Sequence, residues 1–322
     1  MAFRFKLDEP IEKDFRRIGL EQIQRARTQL AANADAATEV HEARKCIKRI
    51  RALLRLGREG LGDRTFRAEN ARFRSIAALM APARDQYVVL QTILKLETET
   101  PEHAAPALAR LRAAVLDPSL AADTNASRES MNEASAALER AAKRFRNLRI
   151  APDDFATLVK GLTRSYKRGL KWLETAYADG SDEAFHELRK CVQAHWRHMA
   201  LLSRAWPALF EARIAAAREL SQILGDDHDL AILKLKVASL SGNALADDDA
   251  REAEALIAER QQALRLAAKP RTQLIFAASA KAHGRWITSV WDAATAKSRQ
   301  DAALAAKGKA AELLPAASSA RA

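Results

Sequence analysis

Apolar residues along the chain recur at three- and four-residue spacings far more often than they alternate, so the pattern predicts a succession of amphipathic helices. A short arm, Ala2–Leu7, reads as extended. Pro10 stands where a first helical turn begins, and the periodic pattern then runs to about Ala32. After a break at Asn33–Ala37, Thr38 is the expected N-cap of a second helix, which stops at the glycine-rich Gly57–Gly62. Further helices are expected over Asp63–Met80, over Asp85–Glu97 after Pro82, over Pro101–Leu116 and over Ser127–Leu148. Pro152 opens a second series: Asp153–Tyr177, a helix capped by Ser181 that ends near Arg204, then Pro207–Leu224, Asp229–Leu240, Ala250–Ala268 and Pro270 to about Ala296.

The second series repeats the first. VHEARKCIKRIRALLRL at Val40–Leu56 returns as FHELRKCVQAHWRHMALL at Phe185–Leu202, so that His41, Glu42, Arg44, Lys45 and Cys46 recur as His186, Glu187, Arg189, Lys190 and Cys191. The offset is 145, and a second block, Arg74–Asp85, aligns with Arg218–Asp229 at 144. Two blocks at nearly one offset indicate tandem duplication of a helical unit. The expected fold is all-α: one domain over residues 10–296, built of two four-helix-type bundles, 10–150 and 152–296, related by a pseudo-twofold. Residues 297–322 form an alanine- and lysine-rich tail, read as disordered or loosely helical.

Composition supports this reading. The chain has 322 residues, 48% hydrophobic, with 11 Gly and 9 Pro, enough to bury a large core and too few breakers for a many-turned β architecture. Charge adds a partner. The 53 Lys and Arg against 41 Asp and Glu leave +12 at pH 7, a surface suited to nucleic acid, anionic lipid or a phosphate polymer. The two cysteines sit at equivalent repeat positions and read as buried small hydrophobes, not as a disulfide framework. The charged N-terminus and the absence of an 18-residue apolar run lead us to expect a soluble, cytoplasmic protein without a membrane partner.

The repeated helix carries the candidate chemistry. At about 100° per residue, His41, Arg44, Lys45, Lys48, Arg51 and Arg55 share one face, while Ala43, Cys46, Ile47, Ile50, Leu53 and Leu54 take the other. A solvated face is the plain reading of such a row, but solvated faces mix signs, and no acid lies between Arg44 and Arg58. The row therefore asks for an anion. In the second copy Gln193, Trp196 and Ala200 replace Lys48, Arg51 and Arg55, and Arg197 adds a cation in the place of Ala52. The preceding helix carries a stripe of its own, Lys160, Arg164, Lys167 and Lys171, so a composite site is expected. His41 and His186 fall in the first turn of their helices, where the dipole favours a neutral imidazole able to donate to a phosphate oxygen. The alternative role for each is a cap or core-edge histidine.

Several chemistries have no residues to carry them. Lys45 and Lys190 occupy the second histidine position of HExxH, and there is no GxxxxGK[ST] loop or GxSxG elbow. His195 and His198 fall at core-facing positions. Asp226, Asp227 and Asp229 read as caps at a helix start, pairing with Arg218. No catalytic residue, metal site or cofactor is expected.

The doubled H-x-x-R-K helix, with Arg84-Asp85 and His228-Asp229 downstream, resembles the conserved histidine α-helical domain (CHAD) family over about Pro10 to Ala296. The family's histidines map onto His41 and His186, and its basic motif residues onto Arg44, Lys45, Lys48, Arg49, Arg189 and Lys190. The resemblance implies a basic central groove or pore that binds inorganic polyphosphate and places the protein at polyphosphate granules. Arg51, Arg55, Arg74, Arg84, Arg197, Arg218 and His228, with the stripe from Lys160 to Lys171, complete the candidate contacts. The rival reading is a nucleic-acid-binding or nucleoid-associated protein whose basic tail makes a weak contact, but only 6% of residues are aromatic and base recognition usually needs stacking platforms. A polyphosphate hydrolase or phosphotransfer enzyme comes third, since the HxxKG pattern is missing.

Overall fold

The computed structural model describes residues 3–32, 36–80, 82–100, 105–116 and 124–312, and within these spans the side chains of 36–37, 82–86, 105, 124–127 and 307–312 are not described. The fold is all-α. Among the described residues there are twelve helices and no strand: α1 (Ile11–Leu30), α2 (Ala36–Leu56), α3 (Arg58–Leu61), α4 (Asp63–Leu79), α5 (Pro82–Glu99), α6 (Ala105–Val115), α7 (Thr124–Phe145), α8 (Phe155–Asp179), α9 (Asp182–Leu202), α10 (Pro207–Leu240), α11 (Asp247–Ile275) and α12 (Ala280–Glu312). None is long and apolar enough to cross a membrane.

Helices α1, α2, α4 and α7 close into a ring, each packing against at least two of the others. Its centre is aromatic. Phe15 stacks on Phe145 at 5.6 Å and Phe73 meets Phe145 edge-on at 6.4 Å, the offset and T-shaped geometries that ring quadrupoles favour. In the second half α8 packs on α9 and α12, and α9 packs on α10. One continuous core joins the halves, for Met199, Leu201 and Leu202 of α9 and Phe210 of α10 bury against the same cluster as Phe15 and Ile50. The N-terminal arm is part of that seam: Phe5 is fully buried, and its N–H donates to the Leu201 carbonyl at 2.8 Å.

A further cluster crosses the midpoint of the chain. Val89, Ile93 and Leu96 of α5 and Leu108, Leu111 and Val115 of α6 bury against Leu230, Leu233 and Val237 of α10 and Ile257 and Leu264 of α11. Packing units therefore do not follow the division at 150–152. Two helices from the first half complete a bundle whose other two come from the second.

Several boundaries differ from those expected. Helix α2 begins at Ala36, so Thr38 lies inside the first turn and is not the cap. Ser181 does cap α9, accepting from the Ala184 N–H at 3.3 Å. Helix α10 runs without a break through Gly225–Asp229. Its carboxylates are tied sideways instead of competing for the backbone: Asp226 accepts from Lys95 at 2.6 Å and Asp227 from Arg265 at 2.6 Å, so neither caps a helix nor pairs with Arg218. Pro270 opens no helix; it lies within α11 on the exposed side, where the carbonyl it releases can be solvated. The actual stop follows at Phe276, and the Ser279 hydroxyl then accepts from the Ala282 N–H at 3.2 Å as α12 begins. Helix α12 continues through the expected tail as far as Glu312.

Helix α8 crosses the C-terminal end of α2 at Gly161 in close approach. A Cβ on Gly161 would fall 2.0 Å from the Leu56 carbonyl oxygen, so only glycine fits this crossing. Substituting Gly161→Val is expected to lower stability by about 1–3 kcal/mol, as overpacking against backbone does, and thermal unfolding followed by circular dichroism measures it.

Candidate functional site

The core face of α2 decides where its cations go. Val40, Ala43, Cys46, Ile47, Ile50, Leu53 and Leu54 are all buried, and the helix thereby turns Arg44, Lys48, Arg51 and Arg55 towards α9. Burial of Leu188, Cys191, Val192 and His195 orients α9 in the same way, so that Arg189, Lys190, Gln193 and Arg197 face α2. A cleft runs between them. It holds two cavities that share Arg44, Lys48, Arg189, Gln193 and Arg197 in their walls. The larger, about 730 Å³, is bounded by α2, α5, α9, α10 and α11, and the smaller, about 230 Å³, by α2 and α9 with His228 of α10.

The smaller cavity is lined by seven Arg and Lys side chains, by His186 and His228, and by no carboxylate among the described residues. Behind this lining Lys190 pairs with Glu187, whereas Arg51 and Arg197 are held by neutral groups. Arg51 donates from Nε to Asn70 Oδ1 at 3.0 Å, and Arg197 donates from Nη1 to the Gln193 carbonyl at 2.7 Å. Trp196 offers its ring to two guanidinium groups, Arg197 at 4.1 Å and Arg218 at 4.8 Å. Arg44 donates to the Ala77 carbonyl at 2.6 Å. For Arg51 and Arg197 these contacts fix position without cancelling charge.

The electrostatic consequence follows from burial and crowding. Burial, then Arg49, Arg55 and the other neighbouring guanidiniums, hold Arg197 down to about 9; burial, then Arg51 and Arg168, hold Arg55 down to about 10. Arg51 is lowered by burial and by Arg74. All three stay protonated at neutral pH, so the cavity keeps a strong positive potential. His186 behaves differently. Its ring stacks on that of His228 with centroids 4.0 Å apart, its Nδ1 is buried without a hydrogen-bond partner, and burial together with Lys190 and Arg189 pushes its pKa to about 4. At neutral pH its imidazole is therefore uncharged.

Most of the expected site residues meet here. His41, Lys45, Arg49 and Arg218 line the larger cavity; Arg51, Arg55, His186, Lys190 and His228 line the smaller; Arg44, Lys48, Arg189 and Arg197 line both. Arg74 is exposed and lines neither, although it lies close enough to Arg51 to affect it. The side chain of Arg84 lies outside the described residues. The stripe on α8 is not brought to the cleft. Leu158, Leu162 and Tyr166 take the buried face of α8, which leaves Lys160, Lys167 and Lys171 exposed and Arg164 paired with Glu59 at 2.8 Å. The composite site expected from that stripe is therefore replaced by one made of α2, α9 and α10. Lys95 and Arg260, which the repeat pattern did not mark, line the larger cavity instead.

His195 and His198 lie in the core, as their register indicates. His195 is surrounded by Tyr166, Phe276 and His283, and His198 is hydrogen-bonded through Nε2 to the Ala52 carbonyl oxygen at 3.0 Å. Both cysteines are buried free thiols, and burial raises each, Cys191 to about 11.

An all-α protein organised around a cation-walled cleft between two helices of similar sequence is the class that fold and site define. Its sequence matches the CHAD domain over residues 17–238, more than half of the chain, and the protein belongs to the CHAD family. No curated protein matches it.

The histidines predict a pH dependence. His186 and His283 at about 4, His198 at about 3 and His195 well below its usual value all lie under the 6.5 of an unfolded histidine. Between those limits the unfolded chain binds more protons, so stability rises with pH there. The ligand-free protein is expected to lose unfolding free energy steadily from pH 6.5 down to about 4, measured by urea titration across that range.

Proposed function

We propose that the protein binds inorganic polyphosphate in the cleft between α2, α9 and α10, and does so without hydrolysing it. The observation that carries this reading is the smaller cavity, with seven Arg and Lys side chains, two histidines and no carboxylate among the described residues. Cations brought this close repel one another and are stabilised only by an anion of matching density. Polyphosphate supplies about one charge per phosphate unit on a thread thin enough to enter, and binding releases its condensed counterions. Arginine offers forked donors to phosphate oxygens, lysine a point charge, and His186 gains a proton as the anion approaches.

Membership of the CHAD family supports the same ligand class. Duplex nucleic acid suits the cleft less well, because its backbone charges lie on the outside of a rigid cylinder and cannot enter a cavity of about 230 Å³. The same cavity offers no described carboxylate for a divalent ion bridging a transferred phosphoryl group, which favours binding over catalysis. Attachment to polyphosphate granules is then a consequence of affinity for the polymer.

Long-chain polyphosphate is expected to bind more tightly than duplex DNA of equal charge at physiological salt, and the affinity to fall linearly with the logarithm of salt concentration. Changing Arg44, Lys48 and Arg51 together to Glu should weaken polyphosphate binding by about 100-fold or more, with helicity retained. Changing Lys160, Lys167 and Lys171 to Glu should leave affinity within about threefold, because surface charges outside the cleft act only through screened fields. Titration calorimetry on the three proteins decides the matter: equal losses in both variants would mean surface charge, not the cleft, binds the polymer.

A further inference from the structure

The two cavities of the cleft differ in chemistry. In the smaller one every charged lining residue is positive, Lys190 alone among them being shown paired with a carboxylate, Glu187, behind the wall. The larger one keeps that cationic wall on its inner side, but its other charges cancel in pairs: Lys45 with Glu42 on α2 at 2.6 Å, Lys95 of α5 with Asp226 of α10 at 2.6 Å and Arg260 of α11 with Glu99 of α5 at 2.8 Å. Between these pairs the wall is apolar or amide, with Tyr87, Leu96, Leu230, Leu264, Gln91 and Gln222. Tyr87 is 54% exposed, an aromatic ring presented at the edge of a concave site.

An unsubstituted phosphate chain gains from the inner wall and finds little on the outer one. An inositol phosphate, charged on every side, meets the same mismatch. A molecule with a run of phosphates at one end and a flat, heteroatom-rich group at the other suits both. Aromatic rings stack on bases of any identity, side-chain amides can pair with base edges, and carboxylates held by lysine and arginine still have lone pairs for ribose hydroxyls. A cavity of about 730 Å³ is within the usual size of small-molecule sites.

We propose that the cleft takes nucleoside polyphosphates, with the phosphates along the cation-walled cavity and the nucleoside in the larger cavity against Tyr87. This rests on the reading of the inner wall as an oligophosphate site. It adds competition: a nucleotide and a polyphosphate chain cannot occupy the inner wall together, so retention on the polymer falls as the nucleotide concentration rises.

The test titrates the full chain, without divalent cations and at one salt concentration, with adenosine 5′-tetraphosphate, inorganic tetraphosphate and long-chain polyphosphate. The two tetraphosphates have equal phosphate number, and the inorganic one carries at least as much charge, so electrostatics alone favours it. The nucleotide is expected to bind roughly tenfold more tightly. Tyr87→Ala should bring the two within about twofold while leaving inorganic tetraphosphate unchanged, and Tyr87→Phe should keep the advantage. Inorganic tetraphosphate binding as tightly as the nucleotide, or an advantage that survives Tyr87→Ala, overturns the nucleoside site. If long-chain polyphosphate still binds in either case, only that site fails; if none of the three binds, the oligophosphate reading fails with it.

Discussion

Repulsion among buried cations is the constraint on which the rest of the structure depends. Arg51, Arg55 and Arg197 are partly or fully withdrawn from water with other guanidiniums beside them, and each is less readily protonated for that reason. Left alone, such a group would splay the helices that carry it. The buried faces prevent this. Ile50, Leu53 and Leu54 of α2 and Met199, Leu201 and Leu202 of α9 belong to one core, so the apolar side of each helix holds its charged side in place. Hydrophobic burial of this kind is worth about 1.5–3 kcal/mol per large side chain, which is the scale needed to offset crowding in a partly screened cleft. The cation wall is thus a crowded element supported from behind by the core.

Neutral anchoring sharpens that arrangement. Had Arg51 and Arg197 been held by carboxylates, their positions would be equally fixed but the field would be gone. Asn70, the Gln193 carbonyl and the ring of Trp196 fix direction and leave charge intact. Trp196 occupies the repeat position of Arg51, and by sequence comparison that looks like dilution of the row. In space it supports two cations, Arg197 and Arg218, the first of which has no counterpart in the other copy, where Ala52 stands.

The parts of the molecule legible in the sequence are those governed by periodicity within one helix. The two faces of α2 and of α9 follow from spacing alone, and both core and cleft use them as read. What escaped is what depends on neighbours. The continuity of α10 rests on Lys95 and Arg265, contributed by other helices, which draw Asp226 and Asp227 away from capping. Passage of α11 through Pro270 depends on that residue facing outward. The α8 stripe is as regular as the α2 row, yet regularity states only that cations share a face; which face meets the cleft is set by the packing of Leu158, Leu162 and Tyr166. Lys95 lies on α5 beyond the repeated block that ends at Asp85, and Arg260 lies on α11, outside both repeated blocks, so no repeat signal marked them.

Helices α5 and α6 bury against α10 and α11, although more than a hundred residues of chain separate them. During synthesis on a ribosome, α5 and α6 leave the exit tunnel long before their partners exist, with Val89, Ile93, Leu108 and Leu111 facing solvent in the meantime. The first half can close its own ring early, but the cleft acquires its far wall only when α9 to α11 have emerged. A nascent or truncated chain would therefore present half a cation wall beside an uncovered apolar surface, a combination prone to capture by ribosomal RNA or by chaperones. The cleft, whose walls come from both ends of the chain, is in this way a late-assembling part of the fold.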